Sequence, residues 1–518
     1  ADWATLEALS LLGIQYQKTE GRELINHHYY LGVALYEQGR VKEAAVNFEH
    51  AVEATPLNAD IWGALGEACL TSWDVSRAIT AYSRAASLSS FSTYYSAKLA
   101  KAKSWVCSWQ GYEAENDRIA REVEEAVAKD DVAKLGNLKL ADLSEELTQM
   151  LGKEATVKLL SGGGRDRGAD EAPDLPPVPG LYRIGFMSSD WRVHPVSTLV
   201  RSLIEAAAEK YEVTVFSVSS NDGVGKGVDD GWWLRNITAM VSPSNFVDLH
   251  GLTPSNAASV IRSRSISVLI DLNGQTLGSG LPIMAFRPSP IQVTYLGLPQ
   301  TTSLPYVDYL ISDASVTPPD IPNKFTEALA FTSHPSYIVN DYKNLQGHTR
   351  WRHPLRPPLE GAGGEVVLGV LSNMQKMNPR TLDAVTNIMR RLGPGSKVVF
   401  FKYSGHEQGR PLLEAELAAR GVRPDRVLWA DLDPWISHTW AKSGLDFALD
   451  TPLKNGHTTG LDAAWALIPS VTFAGESMGS RAGQAWGEAV EGWKSYEDVG
   501  YALGSSGLLR LSLRASLL

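Results

Sequence analysis

The chain has 518 residues, too many for one hydrophobic core, so roughly two to four domains are expected. It is 44% hydrophobic and 20% charged, and no apolar run is long enough to span a bilayer, so no membrane partner is expected. A formal net charge of −10 argues against sequence-independent binding to nucleic acid.

Ala1-Asp2-Trp3 begins inside an amphipathic pattern and lacks a basic n-region, so no signal peptide is expected, and without an initiator Met the protein is expected to start upstream. Two cysteines, Cys69 and Cys107, give neither a disulfide framework nor a metal cluster, which points to a reducing, intracellular setting. Internal repetition follows. Leu31-Gly32-Val33-Ala34-Leu35 and Leu65-Gly66-Glu67-Ala68-Cys69 start 34 positions apart, and the register continues through Ala44 and Ala78, Phe48 and Tyr82, Ala51 and Ala85. That period, with small residues where helices touch and an aromatic in the second helix, is the tetratricopeptide signature. Such helix pairs bury their faces by stacking and present a concave surface suited to protein partners, unless they act only as a spacer. Trp3 to Lys18 reads as the remnant of a further unit. From Tyr94 to about Leu159 the pattern stays helical without the period, and Trp105 and Trp109 are expected on one face of a helix, as core.

Ser161-Gly162-Gly163-Gly164 and the proline-rich run from Asp170 to Gly180 read as a linker. Beyond it the texture is α/β. Strands are expected at Tyr182–Met187, Val213–Val218, Val268–Leu272, Ile291–Leu296 and Tyr309–Ile311, with a helix from about Val196 to Lys210. The stretch from Asp341 to Gly364 is polar and rich in Pro and Gly, a domain boundary. A second set follows at Val366–Val370, Lys397–Phe401, Arg426–Trp429, Phe447–Leu449 and Ser470–Phe473. The expected organisation is repeats over 1–92, a helical connector and linker over 93–180, and α/β domains over 181–345 and 360–518. Two doubly wound domains each aim their strand C-termini at a ligand.

Several strand ends carry residues able to do chemistry. His194, past the first strand, could act as a base or bind a sugar hydroxyl, or simply cap the next helix. Asn273 could offer an amide to the same cleft, or only shape its Asn-Gly turn. Lys376 precedes a helix that Asn378-Pro379 would start, where its ammonium could meet a phosphate. His438 has a plain reading as a surface imidazole. The densest stretch is Asp450 to Asp462: a strand end, a turn with Gly456, then an apolar run from Leu461 to Leu467 that suits a helix capped by Thr458 or Thr459. A helix N-terminus is a natural seat for phosphate. The sequence contains no dinucleotide fingerprint, P-loop or nucleophile elbow. Asp431-Leu432-Asp433 has the D-x-D spacing that holds a metal in some sugar transferases, but in a generic turn.

Together these residues resemble the nucleocytoplasmic O-linked N-acetylglucosamine transferases of animals and plants. The matching motifs are Leu449 to Leu453 with Asn455 to Asp462, Ser188-Ser189-Asp190 with His194-Pro195, Asn273-Gly274, Ala285 to Gln292, Tyr306 to Tyr309, Gly475-Glu476 and Val106 to Tyr112. The resemblance implies a GT-B fold behind a tetratricopeptide superhelix, and inverting transfer of GlcNAc from UDP-GlcNAc to protein Ser/Thr hydroxyls in cytoplasm or nucleus, with no metal or other cofactor. It also implies roles: Lys376 neutralises the departing diphosphate, Thr458 and Thr459 hold phosphate, and His438 stacks on uracil. Asp462 contacts the nucleotide, His457 the sugar, Asn373 belongs to the donor-binding group, and His194 lines the acceptor side as the catalytic candidate there.

The chain departs from the family's pattern at several places. Gln300 and Ser303 stand where glycines are expected, Trp435 replaces a Lys near the base, and Ala482-Gly483-Gln484-Ala485-Trp486 replaces an apolar helix. The resemblance also places a final helix beyond Leu518. A GDP-fucose-dependent protein O-fucosyltransferase is a rival of the same architecture, which Asn455 to His457 disfavour. A catalytically impaired repeat scaffold is another.

Overall fold

The computed structural model describes residues 3–20, 27–89, 92–136, 138–139, 143–151, 155–156, 159, 182–192, 194–219, 232–276, 278–319, 325–334, 337–339, 365–403, 406–431 and 442–517. They form two compact units. One comprises Ala1–Gly162, Asn373–Thr386 and Lys402–Val427; the other comprises Gly163–Ser372, Asn387–Phe401 and Leu428–Leu518.

In the first unit, helices α1 (Trp3–Glu20), α2 (His27–Glu37), α3 (Val41–Ala54), α4 (Ala59–Thr71), α5 (Val75–Leu88) and α6 (Ser92–Ser104) each pack on the next. The repeat is visible as a contact. A Cβ on Gly32 would come within 2.6 Å of the Phe48 ring, and one on Gly66 within 2.7 Å of the Tyr82 ring. Each pair therefore needs glycine where the first helix lies on the aromatic of the second. Asn58 and Asp74 cap α4 and α5 through their side-chain oxygens. Trp3 to Lys18 forms part of a single helix, α1, packed on α2.

Trp105 to Trp109 corrects the expectation of a helix. After α6 ends at Ser104 the chain turns, and Cys107 takes a left-handed φ of 55°. That conformation breaks the i→i−4 ladder, so the two indoles share no helical face. Trp105 instead packs on Trp73 with ring centroids 4.9 Å apart. Helices α7 (Tyr112–Ala128) and α8 (Glu145–Met150) complete the connector. The same unit holds the helix His406–Ala419, whose Gln408 amide accepts from Ser76 N and donates to Trp73 O.

The second unit contains two sheets. Strands β1 (Arg183–Ser188), β2 (Glu212–Ser217), β3 (Phe246–Asp248), β4 (Val268–Asp271), β5 (Ile291–Thr294), β6 (Tyr309–Ser312) and β7 (Ala328–Phe331) pair in the order 3-2-1-4-5-6-7. Strands β8 (Val367–Val370), β9 (Lys397–Lys402), β10 (Val427–Asp431), β11 (Phe447–Leu449), β12 (Ser470–Phe473) and β13 (Glu488–Val490) pair in the order 10-9-8-11-12-13. The strands pair in parallel, β1 with β2 and β4, β8 with β9 and β11. Both orders are doubly wound, and in each the direction of winding reverses between the first and fourth strands of its set. The fold is thus a pair of Rossmann-like domains behind a helical repeat region.

All the expected strands form within a residue or two of their expected bounds. Sequence reading missed β3, β7 and β13. Each is three or four residues long and lies at a sheet edge, where half-exposed positions carry little hydrophobic pattern. The linker and the boundary at Asp341 to Gly364 lie outside the described residues. Among the described residues no helix is long and apolar enough to cross a membrane.

Candidate active site at two strand switch points

In a doubly wound sheet, loops leaving the strands on either side of the switch point diverge and open a crevice. In the first sheet those loops follow β1 and β4. They carry Ser188-Ser189-Asp190 and Asn273, and Asn273 is 1% exposed. Its Oδ1 accepts from Ser189 N at 2.9 Å, while Nδ2 donates to Ser189 Oγ and Asp190 Oδ2, each at 2.8 Å. The amide, read from the sequence as either facing a cleft or shaping its own turn, is engaged in lacing the two loops together. Gly274, with φ of 56°, makes the turn behind it.

His194 is the N-cap of α9 (Pro195–Ala208), with Nδ1 accepting from Val196 N at 3.3 Å. The capping alternative read from the sequence is what forms. A ring whose Nδ1 accepts a hydrogen bond carries its neutral-state proton on Nε2. Burial lowers its pKa, the Asp190 carboxylate 3.6 Å away works against that, and Arg192 adds to the lowering. Asp271, at the end of β4, was not singled out in the sequence. It is fully buried, its Oδ2 accepts from Gly274 N at 2.6 Å, and its Oδ1 has no partner. Burial pushes this carboxyl up to about 7, against the backbone hydrogen bonds that favour its ionised form.

Two motifs of the resemblance are structural. Arg287 pairs with Asp308 at 3.1 Å, and buried Gln292 donates to the carbonyls of Met284 and Tyr306. They tie the segment before β5 to the one before β6.

In the second sheet the turn after β11 is built around Asp450. Its Oδ1 accepts from Thr451 N at 2.9 Å and Gly456 N at 2.6 Å, and its Oδ2 accepts from Thr472 Oγ1 at 2.8 Å. Asn455, fully buried, donates to Thr451 O and accepts from Gly483 N. Thr451 Oγ1 reaches Ser372 Oγ at 2.7 Å, joining the turn to the end of β8. The Pro- and Gly-containing sequence folds this way because its polar side chains replace the pairing that a strand or helix would supply.

Helix α10 (Thr458–Trp465) starts one or two residues earlier than a cap at Thr458 or Thr459 would place it, and here the structure corrects the sequence reading. The N-cap position is His457, and neither threonine caps the helix by a side-chain bond. Thr458 and Thr459 lie in the first turn, whose N–H groups have no acceptor within the helix. Thr459 Oγ1 is buried without a hydrogen-bond partner, packed over Gly456. His457 Nε2 lies 3.4 Å from Gly479 O. Asp462 is 3% exposed, and its Oδ2 accepts from Lys442 Nζ. Lys442 was missed, since one lysine in a short polar stretch gives no sequence signal of burial. Trp486 was noted only as a departure from the family pattern, but its ring lies directly on Gly460.

Lys376 and Asn373 belong to the first compact unit. Asn373 caps the 3-10 turn Met374–Lys376, accepting from Gln375 N at 3.2 Å. Lys376 closes that turn, and Asn378 caps the following helix by accepting from Thr381 N at 2.9 Å. His438, Trp435 and Leu432-Asp433 lie outside the described residues. Among the described residues, no group of three or more His, Cys, Asp or Glu side chains is arranged to hold a metal ion.

The sequence model of glycosyl transferase family 41 matches residues 171–356 and 362–507, which include both switch points. The chain belongs to glycosyl transferase family 41. It is 32% identical over 351 residues to the probable UDP-N-acetylglucosamine–peptide N-acetylglucosaminyltransferase SEC of Arabidopsis thaliana, covering 64% of this chain and 34% of that protein. It is 27% identical over 411 residues to the UDP-N-acetylglucosamine–peptide N-acetylglucosaminyltransferase of Caenorhabditis elegans, covering 58% and 34%. To the rice protein named probable UDP-N-acetylglucosamine–peptide N-acetylglucosaminyltransferase SPINDLY it is 31% identical over 298 residues, covering 56% and 30%. The chain thus spans about a third of the length of these relatives. A solved structure of a Thermobaculum terrenum O-GlcNAc transferase mutant superposes with a TM-score of 0.62 at 23% identity, over 100% of this chain and 89% of that one, a likeness of fold.

Proposed function

We propose that this chain transfers GlcNAc from UDP-GlcNAc to Ser or Thr hydroxyls of protein substrates. The observation that carries the reading is the braced turn from Asp450 to Asp462, which opens onto the N-terminus of α10 inside a region matched by family 41. A helix start with free N–H groups favours a diphosphate through its partial positive charge.

In this reading the hydroxyl oxygen attacks the anomeric carbon as the bond from that carbon to the diphosphate oxygen breaks, inverting the centre. The hydroxyl proton passes to a base on the acceptor side, and the negative charge stays on UDP. Lys376 and the first turn of α10 stabilise that charge, and Thr458 and Thr459 act there chiefly through backbone N–H groups. Asn373 supports the turn that carries Lys376. His457 contacts the sugar, His438 stacks on the base, and Asp462 orders the nucleotide side. His194 lines the acceptor side, and burial lowers its pKa, which favours the neutral ring over the charged one. No metal takes part. The helical repeats recruit the protein acceptors, and the setting is cytoplasmic or nuclear.

Titration calorimetry with UDP and with GDP tests the donor, and intact-protein mass spectrometry after incubation with UDP-GlcNAc or GDP-fucose tests the transfer. UDP binding lost in Lys376→Ala, with a GlcNAc mass increment on an acceptor, is the expected result. A fucose increment alone would replace GlcNAc as the transferred group, and failure to bind either nucleotide would sink the transferase reading.

A further inference from the structure

Both switch points lie in one compact unit, and the segment from Gly475 to Trp486 touches the surroundings of each. On the second-sheet side it holds the turn from Asp450 to Asp462. Gly479 O accepts from Asn455 N at 2.9 Å and lies 3.4 Å from His457 Nε2, and Gly483 N donates to Asn455 Oδ1 at 2.9 Å. On the first-sheet side it presents Arg481, whose Nε donates to Ser315 O at 3.1 Å while Nη1 donates to Gly475 O at 2.8 Å. Ser315 is a firm anchor. It sits in the turn after β6, where the buried Asp313 carboxylate accepts from Ser315 N, Val316 N and Tyr337 N. A second touch lies beside the first, since a Cβ on Gly479 would come within 3.3 Å of Pro299 Cγ. Pro299 belongs to the loop after β5, and that loop is pressed on the Asn273 turn: a Cβ on its Gly297 would lie 2.6 Å from Asn273 Cα. Met478 and Ala482 share an apolar cluster with Leu296 and Val316. Apolar burial is non-directional and sets no single separation between the two sides. A guanidinium is a planar fork with fixed N–H directions, so it holds the carbonyls of Ser315 and Gly475 in one relative position.

We propose that Arg481 is a positioning residue for the transfer step: its clasp on Ser315 sets the separation between the turn that carries His457 and the loops that flank His194. The inference rests on the function proposed above. Arg481 acts through Gly479 on one side and the β5 and β6 loops on the other, without touching either substrate. A displacement of about 1 Å between reacting groups costs roughly a hundredfold in rate. A nucleotide seated on the second sheet alone does not feel that displacement. The signature is therefore a split, in which transfer falls and UDP affinity holds.

The test compares the full chain as wild type and as Arg481→Met, with circular dichroism to confirm folding. Calorimetry reads UDP affinity, and mass spectrometry reads GlcNAc transfer from UDP-GlcNAc to a pool of Ser/Thr peptides. Spin labels on Lys210→Cys and Lys494→Cys, both exposed positions, read the distance between the two sides, and the native Cys69 and Cys107 are buried. Arg481→Met should lower transfer by about tenfold to a hundredfold, keep UDP affinity within about threefold and broaden the label distance. Unchanged transfer, UDP affinity falling as far as transfer, or a label distance as narrow as in wild type would overturn the inference while leaving the donor reading standing. If Arg481→Met does not fold, Gly479→Val serves instead as a wedge against Pro299. It should give the same split, with part of the transfer recovered on adding Pro299→Ala, and no recovery overturns the proposal. A wild-type chain that binds no UDP, or binds it and modifies no peptide, overturns the function proposed above and this inference with it.

Discussion

At the switch point of the first sheet an amide, Asn273, laces the two loops together, whereas at that of the second a carboxylate, Asp450, braces the turn after β11 from within and a pair of hydroxyls, Thr451 and Ser372, joins it to the end of β8. The choice of brace goes with a difference in charge. Beside Asn273 stand two groups whose titration burial displaces: His194, lowered, and Asp271, raised to about 7 with one oxygen unpartnered. In the second sheet Asp450 accepts three hydrogen bonds and Asp462 faces an ammonium, so both carboxylates have their charge compensated. One crevice is tuned by protons and the other holds fixed charge. In the proposed reaction a proton is removed on the first side and a diphosphate is held on the second, so the division suits the chemistry.

The largest effect expected from breaking this contrast is on the second side. Asn455→Ala leaves Thr451 O and Gly483 N buried without their partner, costing about 2–6 kcal/mol at roughly 1–3 for each unsatisfied group. Urea denaturation should show a lower midpoint, and an unchanged midpoint would remove the turn's claim to be held by Asn455. Gly460→Ala should come next, since its Cβ would collide with the Trp486 ring. Overpacking of this kind costs about 1–3 kcal/mol, readable as a fall in Tm, and trimming Trp486 to Leu in the same chain should return part of it.

On the first side the expected signature is pH dependence. Asp271 has a folded pKa near 7, above its unfolded value of about 3.9, so its contribution to stability is fully present below pH 4 and is lost as pH rises through 7. Asp271→Asn removes that titration. The difference in unfolding free energy between wild type and variant should therefore change by about 1.4 kcal/mol per pH unit between roughly pH 4 and 7, with the variant gaining as pH rises. A flat difference would show Asp271 to be ionised in the fold. His194→Ala should cost about 1 kcal/mol through the lost cap, and His194→Asn should restore it. If Asn restores stability but not transfer, the ring does chemistry beyond capping; if it restores both, His194 is structural.

The smallest effect is reserved for Thr459. Its hydroxyl is buried and unpartnered, so Thr459→Val should change stability by less than about 1 kcal/mol and leave UDP affinity within about twofold. A large loss of UDP binding would mean that the hydroxyl turns outward to meet the phosphate.

The repeat period, the strands of both sheets other than β3, β7 and β13, and the Asp450–Asp462 turn were legible in the residues, because each is a local pattern. Gly32 and Gly66 announce helix contact, short continuous apolar runs announce buried parallel strands, and Gly456 with the two threonines announces a turn before a helix. The resemblance to family 41 lay in the same motifs. The short edge strands β3, β7 and β13 were not legible, nor was the turn at Cys107, since neither has enough residues to set a period.

What tertiary structure alone decided is which polar groups are engaged and by whom. The sequence offered Asn273 to a cleft or to its own turn, and folding commits it to Ser189 and Asp190, 84 and 83 residues away. It gave Thr458 or Thr459 the cap, while the fold leaves α10 without a side-chain cap, and it gave no sign that Asp462 is buried against Lys442, 20 residues earlier. Lys442 and Asp271 look ordinary in the sequence. Desolvation and partner choice depend on which distant strands and helices enclose a side chain, and no local pattern of residues encodes that.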